Sequence, residues 1–499
     1  MYLPPLLKDF FLRSGILSIV KLIGALGRIT LFRLVGSEGI GLYQMAYAYY
    51  GLLITIITGG FASAVSLATA KDIQRGKQLF HFSLYLLAIL GSSMGLLSYY
   101  CAPFVAELFG EKGLVRPIQF LAPAILLVPI LSLMRGFLQG LQRYAYIALS
   151  ELIEQVVRVV AMVFLTGLLM QKGLTEAVGG ALFGAVLGAF IAFLFLLAPL
   201  LLPFPTVQMN HHSLPTSIPV FIMSCISIMG ARIILPASDF IDSILVPNRL
   251  FLAGYSVQEA TEIYGKFFGI VATVVFVPTL ITGSISHIML PRLTIAWETL
   301  NISGFIKKIK VAFNTTLLWG LSSSFFLVAY SHPISTLVIG NESLAQPIQY
   351  LSLAPLFASL RELSTTILWT MNVKGQPLKG LILATIFSSL INFFVIGIPG
   401  YSIAGIILGI LCFEITSLTF NLTSLIRAIH PQKIGLSIVR EIVVCISFLS
   451  CIHFAISLLY SHIIPIGSTF IQDAIMGLTF FILFPLYIYG HLTYIQRKS

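Results

Sequence analysis

Apolar runs of helical length recur along nearly the whole chain, and they constrain its fold more than any other feature. A helix needs about 20 apolar residues to cross a bilayer core, and each run approaches or exceeds that length. Only 9% of the 499 residues are charged, whereas a soluble protein carries about 25%. The bilayer must therefore be the main solvent, because so few charges cannot cover a water-facing surface.

The runs predict an all-α polytopic membrane protein with about fourteen transmembrane helices. Helix is expected because lipid offers no hydrogen-bond partner, so every backbone group must be satisfied within the segment. The runs also lack the alternating pattern of membrane barrel strands. The predicted spans lie near residues 9–34, 39–69, 79–103, 117–139, 146–170, 176–202, 214–238, 263–290, 309–331, 347–371, 379–398, 401–426, 438–460 and 472–494.

Basic residues in the predicted loops indicate the orientation, because cytoplasmic loops are enriched in Lys and Arg. With the N-terminus inside, the outside loops hold only four basic residues: Lys112, Arg116, Lys172 and Arg249. The inside loops hold sixteen: Lys8, Lys71, Arg75, Lys77, Arg143, Arg292, Lys307, Lys308, Lys310, Lys374, Lys379, Arg427, Lys433, Arg440, Arg497 and Lys498. This bias predicts cytoplasmic termini and an exterior connection over about 239–262.

A short motif occurs twice and indicates an internal repeat. Residues 117–121 read Pro-Ile-Gln-Phe-Leu and residues 347–351 read Pro-Ile-Gln-Tyr-Leu, at an offset of 230. The same offset relates two further pairs, Pro103 with Pro333 and Gly110 with Gly340. The two repeats that contain the motif both start on the inside, since six spans separate their starts. Parallel repeats of this kind are typical of transporters that rock one half against the other.

The repeat predicts three parts of the chain. Residues 1–204 are expected to form a first six-helix bundle and residues 205–427 a second one. Residues 428–499 add two further transmembrane helices.

The sequence lacks the motifs of cofactor, metal or acyl-transfer chemistry. It has no Walker loop, zinc signature, dinucleotide fingerprint or nucleophile elbow, and its five cysteines show no metal spacing. The basic residues lie in short loops rather than in one patch, which argues against nucleic acid as a partner. We therefore expect no cofactor and no metal, and a protein that is not an enzyme.

Charged residues inside the predicted spans are the candidates for function. A charge at the centre of a membrane helix costs at least about 2.5–3.5 kcal/mol on insertion scales, so it persists where it is paired or hydrated. Lys21 and Arg28 are seven residues apart and share one helix face, at about 20° separation, which is expected to line water. Arg135 lies within span 4.

Two further groups leave a structural and a functional interpretation open. Glu154 and Arg158 are one helical turn apart and can pair, either permanently or until an anionic headgroup competes for Arg158. Asp242 and Arg249 are expected to orient an exterior vestibule or to belong to an ordinary solvated loop.

Five segments carry a resemblance to a known family. They are residues 24–36, which read Gly-Ala-Leu-Gly-Arg-Ile-Thr-Leu-Phe-Arg-Leu-Val-Gly, and residues 38–47, 153–158, 241–247 and 264–265. Their combination resembles the stage V sporulation protein B-like family of polysaccharide-biosynthesis flippases. That family belongs to the multidrug/oligosaccharidyl-lipid/polysaccharide exporter superfamily.

The resemblance implies export of an undecaprenyl-pyrophosphate-linked saccharide, such as a spore-cortex peptidoglycan precursor, across a bacterial cell membrane. A pyrophosphate needs cations, and arginine can bind phosphate through two hydrogen bonds. The expected substrate-binding residues are Lys21, Arg28, Arg135, Glu154, Arg158, Asp242 and Arg249.

Three alternatives remain open at this point. A multidrug cation antiporter of the same superfamily needs acidic residues in the first bundle, where span 1 offers only bases. A membrane glycosyltransferase or polymerase needs a large exterior loop. A non-transporting scaffold for a sporulation complex is also compatible with the sequence, which leaves the oligomeric state open.

The orientation leads to a labelling prediction. In a cysteine-free background, Tyr255→Cys is expected to react with a membrane-impermeant maleimide added to intact cells, because it lies on the exterior side. Thr299→Cys is expected to react only after permeabilisation. Labelling of Thr299→Cys but not Tyr255→Cys in intact cells would invert the topology.

Overall fold

The computed structural model describes residues 5–201, 217–429 and 438–462, and residues 475–477, 479, 482–483, 485–486 and 490. Every secondary-structure element in these ranges is a helix, which confirms the all-α fold class. The chain divides into two compact units, Met1–Ile270 and Val271–Ser499. Predicted span 14 lies largely outside the described residues.

The described residues of the first unit form ten α-helices. They are α1 (Pro5–Thr58), α2 (Phe61–Lys71), α3 (Ile73–Tyr100), α4 (Ala102–Leu108), α5 (Val115–Gly140), α6 (Tyr144–Leu169), α7 (Leu174–Leu201), α8 (Ile218–Arg232), α9 (Ile234–Leu252) and α10 (Val257–Tyr264). Helix α5 lies at the centre, in contact with α1, α2, α3 and α7. The predicted bundle boundary at residues 204 and 205 remains a prediction.

A single glycine separates the first two predicted spans. Helix α1 has 54 residues, and a straight helix of that length would measure about 80 Å, far more than a bilayer core. Gly36 interrupts it with φ 69° and ψ −168°, a conformation that a residue with a side chain rarely adopts. The kink lies in the gap between predicted spans 9–34 and 39–69.

The predicted exterior connection over 239–262 is wrong in its length. Helix α9 continues to Leu252, and α10 begins at Val257. Asp242 and Arg249 therefore lie on a helix rather than in a long loop. A long loop was predicted because Asp239, Asp242 and Pro247 interrupt the apolar run. In the structure these residues lie within α9, and the helix accommodates Pro247.

The second unit contains the remaining described helices. They are α11 (Ala272–Val275), α12 (Thr279–Glu298), α13 (Ile302–Ala329), α14 (Ser331–Pro333), α15 (Ala345–Leu351), α16 (Ala354–Thr370), α17 (Gly375–Val395), α18 (Ser402–Ile429) and α19 (Ile438–His462). Helix α16 packs against α12, α13 and α18, and α19 packs against α13. Along the chain, the boundary between the two units falls within a π-helix over Gly265–Val271.

The repeated motif has the same local structure in both units. Each copy follows a three-residue 3-10 helix, Lys112–Leu114 in one case and Glu342–Leu344 in the other. Gly110 and Gly340 both have positive φ, at 71° and 85°. These shared local features at an offset of 230 support an internal duplication, while its parallel axis remains a prediction.

Eight described helical segments are long and apolar enough to cross a membrane, or up to ten if each bent pair of helices counts as one span. The chain is therefore a multi-pass membrane protein. The total of fourteen spans is compatible with this count and remains a prediction.

An ion pair joins two helices of the second unit. Arg361 on α16 donates from Nε to Glu414 Oε2 on α18 at 2.7 Å, and from Nη2 to Oε1 at 3.4 Å. Both side chains are largely buried, with exposed fractions of 19% and 7%. Asn421, two turns after Glu414, donates to Thr365 Oγ1 at 2.9 Å. One carboxylate thus balances one guanidinium between the two helices.

Breaking this pair is expected to destabilise the protein, because one buried charge loses its partner. Glu414→Gln or Arg361→Gln should each cost roughly 3–5 kcal/mol of unfolding free energy, while a double change to leucine should cost less than either. Thermal unfolding of the purified protein in detergent measures this. The control Arg116→Gln breaks the more exposed Arg116–Glu176 pair and should cost under about 1 kcal/mol. Equal melting temperatures for Glu414→Gln and Arg116→Gln would contradict the role of the buried pair.

Candidate functional site

Glycines place helix α6 directly against its neighbours in the first unit. A Cβ atom at Gly188 would lie 2.6 Å from the Glu154 carbonyl oxygen, and one at Gly184 would lie 2.7 Å from that of Arg158. Helix α7 therefore packs on the α6 backbone at these two positions. On α1, a Cβ at Gly24 would lie 2.8 Å from the Gln155 amide nitrogen. These close approaches hold α1, α6 and α7 together at the level of the charged residues.

Glu154 is shared by two arginines from different helices. Arg135 on α5 donates from Nη1 to Glu154 Oε2 at 2.8 Å, and Arg158 on α6 donates from Nη2 to Glu154 Oε1. The exposed fractions of the three side chains are only 12–19%. Arg135 Nε also donates to Ser150 Oγ at 2.9 Å. We call Arg135, Glu154 and Arg158 the arginine bridge.

The arginine bridge carries one positive charge more than its carboxylate balances. No other ion pair of Arg135 or Arg158 occurs among the described residues. Arg135 Nη2 and Arg158 Nε are also buried donors without a hydrogen-bond acceptor there. Unsatisfied donors and surplus positive charge in a low-dielectric region favour binding of an oxyanion.

A tyrosine from α1 connects the arginine bridge to Arg28. Arg158 Nη1 donates to Tyr47 Oη in a long hydrogen bond of 3.5 Å. Arg28 lies over the Tyr47 ring, with Cζ 5.6 Å from the ring centroid, within the range of a cation–π interaction. Three arginines from α1, α5 and α6 therefore belong to one continuous cluster within the first unit.

The other predicted site residues occupy different surroundings. Asp242 on α9 lies within electrostatic reach of Tyr264. Asp239 on the same helix, which was not a predicted site residue, lies within electrostatic reach of Arg28. Arg249 is half-buried in the last turn of α9, and Lys21 is exposed on α1. The structure thus brings together Arg28, Arg135, Glu154 and Arg158. For Lys21, Asp242 and Arg249 a role at the same site remains a prediction.

No site role was predicted for three residues in or near this cluster: Tyr47, Ser150 and Asp239. The spacing of Tyr43, Tyr47 and Tyr50 at i, i+4 and i+7 was a usable signal, because it places three tyrosines on one helix face. The Tyr43 and Tyr47 rings stack with centroids 5.7 Å apart and an interplanar angle of 8°. The described residues contain no group of three or more His, Cys, Asp or Glu side chains able to hold a metal.

The chain matches one protein family model and is similar in sequence to two characterised relatives. A family model described as polysaccharide biosynthesis protein matches residues 6–297, more than half of the chain. The chain is 24% identical to stage V sporulation protein B of Bacillus subtilis (strain 168) over 420 residues, which cover 81% of each protein. It is also 24% identical to the lipid II flippase MurJ of the same organism over 409 residues, or 75% of this chain and 74% of the relative.

Solved structures support the same fold. The lipid II flippase MurJ in an inward closed conformation aligns with a TM-score of 0.68 at 14% identity, covering 97% of this chain and all of that one. A multidrug resistance transporter of the MATE family in an inward-facing conformation aligns with a TM-score of 0.65 at 12% identity, over 84% of this chain and all of that one.

The shared carboxylate predicts an asymmetry between substitutions in the arginine bridge. Glu154→Gln leaves two neighbouring guanidinium groups without a counter-charge and should cost roughly 3–5 kcal/mol of unfolding free energy. Arg135→Gln should cost less, because Glu154 still balances Arg158.

Melting temperatures in detergent, with the exposed carboxylate variant Glu107→Gln as control, measure this difference. An Arg135→Gln protein that melts at or below the temperature of Glu154→Gln would show that the carboxylate is not the shared element.

Proposed function

The chain belongs to the polysaccharide biosynthesis protein family, and we propose that it is a membrane transporter of the multidrug/oligosaccharidyl-lipid/polysaccharide exporter superfamily rather than an enzyme. In this proposal it flips a polyprenyl-pyrophosphate-linked saccharide. The substrate moves from the cytoplasmic to the outer leaflet of a bacterial cell membrane by alternating access. The relative named lipid II flippase supports a lipid-linked saccharide as the substrate class. The relative named for sporulation supports a spore-cortex peptidoglycan precursor as one candidate.

The arginine bridge carries this proposal. A pyrophosphate in a low-dielectric region needs several cations, because the cost of removing its charge from water must be offset by close pairing. Arg135 and Arg158 share one carboxylate, so together they keep a positive charge for the substrate. Arg28, on the other side of Tyr47, supplies a further cation within the same cluster.

Glu154 has a positioning role in this proposal. Its two oxygens contact Arg135 and Arg158, so it holds both guanidinium groups in place while no substrate is bound. An incoming phosphate competes with Glu154 for Arg158. Glu154 thus keeps Arg135 and Arg158 ordered and allows Arg158 to change partner. Lys21, Asp242 and Arg249 remain proposed substrate contacts at other stages of transport.

A multidrug cation antiporter is the nearest alternative within the superfamily. A cationic drug would be repelled by the surplus positive charge of the arginine bridge, since like charges in a low-dielectric region repel strongly.

The sequence carries no ATPase motif, so we propose that the membrane potential or an ion gradient drives transport.

Translocation by the reconstituted protein tests the proposal. Proteoliposomes holding fluorescent lipid II as probe are given a membrane potential, and a membrane-impermeant pyrophosphate-cleaving reagent reports the probe that reaches the outer leaflet. Arg158→Gln and Arg28→Gln should each slow the transfer about tenfold or more, because a hydrogen bond to a charged group contributes about 1.5–3 kcal/mol. Arg28→Lys should retain partial activity, since lysine keeps the charge but loses the bidentate geometry.

The control Lys172→Gln removes an exposed cation near the end of α6 and should leave transfer unchanged. Ethidium uptake serves as the assay for cation transport. Ethidium transport without lipid II transfer would favour the antiporter, and transfer by Arg28→Ala at the wild-type rate would remove Arg28 from the mechanism.

A further inference from the structure

Tyr47 contacts two cations of the site from two different directions. Arg28 lies over its ring, and Arg158 reaches its hydroxyl at the ring edge. Tyr43 stacks on Tyr47 in a nearly parallel orientation, and Tyr50 packs against it at a tilt of 49°. Tyr43 and Tyr50 are buried, and Tyr47 is half-buried. The Tyr47 ring is therefore held by its neighbours while it contacts the two arginines.

We propose that Tyr47 is a positioning residue that sets the separation between Arg28 and Arg158, and that this separation selects a polyprenyl diphosphate over a polyprenyl monophosphate. The inference rests on the proposed function, because it concerns the headgroup of the same substrate. Tyr47 acts through the two arginines and itself makes no contact with the phosphates.

The positions of Arg28 and Arg158 around the Tyr47 ring explain why a diphosphate is preferred over a monophosphate. The ring face holds the Arg28 guanidinium and the hydroxyl holds the Arg158 guanidinium, so the two contacts fix two separate cationic positions. A diphosphate has two charged groups and can engage both arginines at once. A monophosphate engages only one of the two arginines, so it makes one charge-assisted interaction fewer than a diphosphate.

The two guanidinium groups can distinguish the headgroups only if their positions are restrained. Arginine side chains lose considerable rotamer freedom when they are ordered, so two mobile guanidinium groups would adapt to either headgroup. Tyr47 restrains Arg28 through its ring and Arg158 through its hydroxyl. Glu154 restrains Arg158 from another direction. Pre-organised cations bind a matching anion more tightly, because less conformational entropy is lost on binding.

The test compares two probes with the purified full-length protein in nanodiscs. Dissociation constants are measured for undecaprenyl pyrophosphate and undecaprenyl phosphate, and their ratio gives the selectivity. The wild-type protein is expected to favour the diphosphate at least about tenfold, as one extra charge-assisted hydrogen bond provides. Tyr47→Phe keeps the ring and loses the hydroxyl, so the ratio should fall about threefold. Tyr47→Leu loses both contacts, so the ratio should approach one.

Tyr49 provides the matched control. It lies on the same helix, and its hydroxyl contacts Ser98 at 3.2 Å, outside the arginine cluster. Tyr49→Phe and Tyr49→Leu should leave the selectivity ratio unchanged. Melting temperatures establish that each variant is folded, and if Tyr47→Leu does not fold, Tyr47→Phe decides the matter.

The outcomes separate this inference from the proposed function. If Tyr47→Phe, or folded Tyr47→Leu, keeps the wild-type ratio of the two dissociation constants, the positioning role is overturned. Diphosphate binding by the wild-type protein would still support the flippase proposal. Failure of the wild-type protein to bind either probe would overturn both. Equal weakening for both probes in the Tyr47 variants would show a merely structural role and would also overturn the inference.

Discussion

The cost of placing charge in a low-dielectric region governs this structure more than any other constraint. Arginine and glutamate within membrane helices persist where they are paired or hydrated, and the described residues of both units include a buried ion pair between helices. In the second unit, Arg361 and Glu414 pair one to one. In the first, Arg135 and Arg158 share Glu154. The Arg361–Glu414 pair is electrically balanced, whereas the arginine bridge of Arg135, Glu154 and Arg158 retains one positive charge. This difference locates the proposed anion site in the first unit.

The packing around Glu154 follows from glycines that bear no catalytic or binding group. Gly184 and Gly188 let α7 contact the α6 backbone directly, and Gly24 on α1 leaves room for the Gln155 side chain of α6. Small residues at such positions are typical of membrane helix interfaces, because close backbone approach replaces the hydrophobic driving force that lipid cannot provide. The side chains of Glu154 and Arg158 gain fixed surroundings in this way, which a loop on the surface would not supply.

The fold class was predictable from the sequence, whereas the composition of the site was predictable only in part. Apolar run length and low charge sufficed for an all-helical membrane protein, and Gly36 lies where two predicted spans meet. The Glu154–Arg158 pair followed from i, i+4 spacing within one helix. The contacts of Arg135 with Glu154 and of Arg28 with Tyr47 did not follow, because they join different helices and depend on how the bundle packs. The long exterior connection over 239–262 was also wrong, since polar residues and Pro247 are accommodated within α9.

A structure of the protein in nanodiscs with bound undecaprenyl pyrophosphate, determined by electron cryomicroscopy, tests the central claim most directly. The account predicts that the diphosphate lies within hydrogen-bond distance of Arg158 and Arg28, with Tyr47 between the two guanidinium groups and Arg135 still paired with Glu154. A diphosphate bound elsewhere, with Arg28, Tyr47 and Arg158 in their present contacts, would contradict it.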